Sequence, residues 1–116
     1  MSHYSEEKRG TLRESLEYEI LHWPHVSSRR MFGCPAYLVS GRLFAFLVNE
    51  GVVVTQLSKR QRSHARQLFE TEPFQIDQRP ISRWLCLSVP EGEVTLSDLR
   101  RLLRFIRYSY ESASGT

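Results

Sequence analysis

The chain has 116 residues, 41% hydrophobic and 25% charged, the size and composition of one globular domain that buries its own core, not of a disordered chain. Its two cysteines are too few for a disulfide scaffold or a four-cysteine zinc site, and no apolar run nears the roughly 18 residues of a membrane-spanning helix. The net charge of +3 is lopsided: residues 1–56 carry six basic and six acidic side chains, residues 57–116 ten and seven.

Residues 1–10 are polar and expected to be flexible. They lack the apolar core of a secretion signal, so the chain is expected in the cytoplasm, with no membrane partner. Thr11-Leu12-Arg13-Glu14 reads as a capping box that opens a first helix. Leu12, Leu16, Ile20 and Trp23 then recur as one apolar stripe, and Pro24 ends the helix. A short strand is expected around Arg29 to Phe32. The strands Ala36 to Val39 and Arg42 to Val48 flank Ser40-Gly41, a hairpin junction that exploits the tolerance of glycine for positive φ. Asn49-Glu50-Gly51 reverses the chain again into the β-branched run Val52 to Thr55.

Ser58, with Gln61 three residues on, opens a second helix whose Ala65, Leu68 and Phe69 turn to the core. Strand character returns at Phe74 to Ile76 and at Trp84 to Val89. The last helix starts near Thr95 and buries Leu99, Leu102, Leu103, Ile106 and Tyr110. Residues 112–116 are expected to fray. Short links between successive strands force antiparallel neighbours, since parallel pairing needs a long crossover. The prediction is a single two-layer α+β domain over residues 1–116, an antiparallel sheet with about three helices in the order α-β-β-β(β)-α-β-β-α.

One stretch carries a resemblance. Arg30-Met31-Phe32-Gly33 is followed by Pro35 to Val39, the Ser40-Gly41-Arg42 turn and a strand beginning Leu43-Phe44-Ala45. Pro73-Phe74, Arg83-Trp84 and Phe105 to Glu111 continue the pattern. The chain resembles the TfoX N-terminal domain family, with Arg30, Met31, Phe32, Gly33 and Gly41 at its motif positions. The resemblance implies a two-layer α+β fold and a non-catalytic, regulatory or protein-interaction role, linked to transcriptional regulation or competence. The chain is expected to act as a stand-alone N-terminal-type domain, and the resemblance supplies no active site.

No residue is assigned a catalytic or metal-binding role, and no cofactor is expected. His22 and His25 lie three apart, but Trp23-Pro24 between them breaks the helix that would align their rings. Cys34, between a glycine and a proline, describes a tight turn. The strongest signal is charge. Lys59, Arg62 and Arg66 share one face of the second helix, with Arg60 beside them. Lys59 and Arg60 occupy the first turn, where the helix dipole disfavours cations. Arg100, Arg104 and Arg107 form a second stripe on the last helix. These residues are the candidates for an anion-binding surface that meets a protein partner or, in the alternative reading, nucleic acid. A small-molecule enzyme ranks third. The strand Arg42 to Val48 is apolar on both faces, so its second face needs a cover, either the last helix packing across or a second copy of the chain. A homodimer through Phe44 and Phe46 is expected.

Overall fold

The computed structural model describes residues 3–115 and contains three helices and six strands. The elements are α1 (Glu6–Ile20), β1 (Val26–Met31), β2 (Cys34–Val39), β3 (Arg42–Val48), β4 (Gly51–Val54), α2 (Lys59–Leu68), β5 (Glu70–Ile76), β6 (Arg79–Ser88) and α3 (Leu96–Ala113). The strands form one antiparallel sheet in the order β1-β2-β3-β4-β6-β5. This is the α+β order read from the sequence. None of the described helices is long and apolar enough to cross a membrane.

Hairpin geometry follows from local chemistry. Phe32-Gly33, Ser40-Gly41 and Asp77-Gln78 each place two successive residues at positive φ, as the tightest hairpin turns require. Gly51 serves a different need. A Cβ there would sit 2.0 Å from the Leu87 carbonyl oxygen of β6, so only glycine lets the two backbones approach.

The first helix starts earlier than expected. Ser5, not a residue at the Thr11 box, is its N-cap, and Thr11 lies inside the helix. Glu6 and Glu7 in the first turn suit the helix dipole, and long-range bonds hold the rest. Arg9 is only 1% exposed. It donates from Nε to the Asn49 carbonyl and from Nη1 and Nη2 to those of Pro90 and Val89. Residues 3–10 are therefore packed structure, not a flexible lead. At the other end α3 continues to Ala113, which is buried, so fraying does not begin at Ser112. Met1, Ser2 and Thr116, for which flexibility was also expected, lie outside the described residues.

The strand boundaries also move: β1 begins three residues before Arg29, and β5 and β6 are longer than the pieces read from pattern. The first helix ends at Ile20, ahead of Pro24. The capping box at Ser58 and Gln61 is present in both directions, and the Thr95 hydroxyl accepts from the Asp98 backbone N–H at the start of α3.

The expectation of an exposed Phe44 and Phe46 is overturned: both are 0% exposed. A register shift pairs Tyr37 with Ala45 and Leu38 with Leu43, leaving Phe44 as an extra residue on β3. Such a bulge disturbs the alternation of faces. Phe44 packs on Trp23 and Tyr110, under α3. Phe46 joins Phe32, Phe74 and Trp84. Phe32 sits in the β1–β2 turn and Phe74 on the opposite edge strand, yet their ring centroids are 6.2 Å apart. In a flat sheet β2 and β5 would stand about 19 Å apart. The sheet therefore curls, and its second face is covered by the chain itself, with no need of a second copy.

Candidate cationic groove

The end of the molecule around α2 is built by three local choices. Leu57 is buried and the Ser58 capping box fixes the direction in which α2 leaves the sheet. The β5–β6 hairpin then bulges: the adjacent residues Pro73 and Phe74 pair with Leu85 and Ile81, which leaves Ser82, Arg83 and Trp84 without partners on β5. Pro73, lacking an N–H, stands at this break on an edge strand, where proline is tolerated. Finally, α3 passes behind, with Phe105 touching His64 and Phe69 of the α2 segment.

Between these elements lies a groove of about 970 Å³ lined by, among others, Lys59 and Arg62 of α2, Arg83 and Trp84 of the bulge, and Ser58, Ser82 and Ser112. A second hollow, on the α3 side of α2, is lined by Lys59, Arg60, His64, Gln67 and Tyr108 among others. Lys59 lines both, so the two run on around the start of α2. Among the described residues no carboxylate lines either one. Among the described residues no acidic side chain lies within ion-pair distance of Lys59, Arg60, Arg62 or Arg66. Arg62 is half-buried and spends Nη1 on the Leu57 carbonyl at 2.8 Å, which holds the guanidinium at the groove wall. Lys59, Arg60 and Arg66 are exposed.

The second arginine stripe does not join this site as a unit. Arg107 lies 5.0 Å from the rings of Trp23 and Tyr110 and pairs with Glu111 at 3.5 Å, on the flank of α3 away from Tyr108 and α2. Arg100 and Arg104 stay exposed on its outer side. Sequence reading also missed Arg83 and Ser82, because only the sheet register places them beside α2.

The motif positions of the resemblance have structural work. Arg30 donates from Nη1 to the Gly33 carbonyl at 2.9 Å, closing the β1–β2 turn. Met31 packs half-buried on the core, Gly33 and Gly41 take positive φ, and Phe32 bridges to Phe74 and Trp84 although 42% exposed.

Other titratable groups are held in place. A chain of bonds runs from the Tyr4 hydroxyl to Glu6, through Arg13 to Glu17, and on to the Tyr37 hydroxyl, with distances of 2.6 to 2.9 Å along it. The Arg13 hydrogen bond, then that of Tyr4, pulls the Glu6 carboxyl down to about 2. Burial pushes the Cys34 thiol up to about 11 and that of Cys86 up to about 12, so neither is an activated nucleophile near neutral pH. The His22 ring pairs through Nδ1 with the Tyr18 carbonyl at 2.7 Å, and His25 lies on the exposed turn before β1.

Fold and groove together define an α+β protein carrying a cationic, carboxylate-free hollow. No family model matches the chain, and no curated protein matches it.

Proposed function

We propose that this chain is a non-catalytic binding module of the regulatory kind that its likeness to the TfoX N-terminal family implies, and that it meets an anionic macromolecular partner at the groove beside α2. One observation carries the reading: Lys59, Arg62 and Arg83 converge from two separate elements on a hollow that no carboxylate of the described residues lines. Cations brought together without counter-charges repel one another, and a bound anion relieves that repulsion. Lys59 stands where the dipole of α2 already disfavours it by roughly 0.3–1 kcal/mol, and a local rule broken without compensation in the fold is where function is sought.

The test is retention on an immobilised polyanion such as heparin. Wild-type protein is expected to be held at low salt, and a Lys59→Glu/Arg83→Glu variant to elute markedly earlier. Both side chains are exposed, so the variant is expected to keep its fold, which circular dichroism checks. Equal elution of the two proteins would remove the groove from the function of this chain.

A further inference from the structure

The groove does more than collect positive charge. It also presents two aromatic side chains that the core uses only in part. Trp84 is half-buried: its ring centroid lies 5.6 Å from that of Phe46 and 6.1 Å from that of Phe32, and it also lines the groove beside Arg83 and Lys59. Tyr108 is half-buried against Phe105 and lines the adjoining hollow beside Lys59 and Arg60. Each of the two hollows that Lys59 lines thus counts one aromatic residue in its wall.

We infer that the occupant of this groove is single-stranded nucleic acid. The inference rests on the anion-binding reading above and names its partner. Cations that track a backbone, interleaved with aromatic rings, are the combination that holds an unpaired strand, because every unstacked base offers a π-face. Hydroxyls suit phosphate oxygens, which take much of the hydrogen bonding at nucleic-acid interfaces, and the exposed Ser82 and Ser112 line the groove, while the Ser58 hydroxyl caps α2. A duplex has no free base faces, so Trp84 and Tyr108 would have nothing to stack on. An acidic peptide satisfies the cations but makes no use of the rings.

The experiment measures binding of oligothymidylate, oligouridylate, a duplex of mixed sequence and polyglutamate. It is read by anisotropy and by indole fluorescence in a Trp23→Phe background, where Trp84 is the only tryptophan. Saturable quenching by one or both single strands is expected, with weaker binding of the duplex and of polyglutamate. Comparing the two oligonucleotides tells whether the 2′-hydroxyl is read. Three or four phosphate contacts on a single strand give a slope of about −2 to −3 for log affinity against log salt. Lys59→Gln/Arg83→Gln should flatten it by about 1.4 while the melting temperature holds.

If polyglutamate binds as tightly as the oligonucleotides and loses affinity in the same variant, the strand inference falls and the anion-binding module stands. Equal or tighter binding of the duplex also overturns the single-strand inference. If no polyanion binds in a way that depends on Lys59 and Arg83, both readings fall.

Discussion

The two short charged helices treat charge in opposite ways. In α1 the arginines are committed: Arg9 is buried on three backbone carbonyls, and Arg13 bridges Glu6 and Glu17. In α2 four cations stand without a carboxylate partner among the described residues, and two of them occupy the helix turn least suited to them. Charge that the fold has already paired contributes stability and specificity of structure. Charge left unpaired contributes little to stability, and under the function proposed above it serves a partner outside the chain.

The largest effect expected from this contrast is at Arg9. Replacement by Met keeps most of the length and removes every donor, leaving the carbonyls of Asn49, Val89 and Pro90 without their partner. Hydrogen bonds to a charged group contribute roughly 1.5–3 kcal/mol each, and three are lost. Met no longer bears the cost of burying a charge, however, so Arg9→Met should cost about 3–5 kcal/mol in urea denaturation. Arg66→Met on α2 should stay within about 0.5 kcal/mol, as exposed substitutions do. Similar costs at the two positions would erase the distinction between the helices.

A second, smaller difference lies in acid. Glu6 falls to about 2 from an unfolded value near 4.5. A depressed carboxylate contributes stability that is complete above the unfolded value and lost as pH falls through the folded one. Wild-type stability should therefore drop between pH 4.5 and pH 2. Arg13→Gln removes the largest cause and should flatten that drop. The Tyr4 hydroxyl moves the other way, up to about 12 from 10.0, through burial first and its bond to Glu6 second. Its contribution is complete below pH 10 and lost as pH rises through 12. Arg66→Gln, on the unpaired helix, should leave the acid slope as it is.

Local chemistry made much of this legible in the sequence. The Ser58 and Gln61 capping box, the Ser40-Gly41 turn, the span of β3 and the apolar face of α3 all rest on neighbours within a few residues. What escaped depends on distant partners. The T-x-x-E pattern at Thr11 points to a helix start there, while the bonds that order residues 3–10 come from Asn49, Val89 and Pro90. The burial of Phe46 requires a curl that brings Phe32 to Phe74, and nothing near Phe46 in sequence announces it. The groove was half visible: its α2 cations showed as a charged face, whereas Arg83 joins them only through the bulge set by the register of β5 and β6.

The smallest effect separates the two regions most cleanly, because its sign matters more than its size. Lys59 is the first residue of α2, and no acidic residue stands in that turn. Lys59→Glu removes a cation from the positive end of the helix and puts an anion there, which should raise stability by about 0.5–1 kcal/mol at low salt. If Lys59 were an ordinary surface residue, a more stable protein would bind a polyanion as well as before. If its place is set by a partner, stability rises and polyanion affinity falls in the same variant, the trade expected where a local rule is broken for function. The gain should shrink as salt screens the dipole interaction, and wild-type retention on the polyanion should weaken over the same range. A variant that is both less stable and equally retained would show that Lys59 belongs with the committed charges of α1.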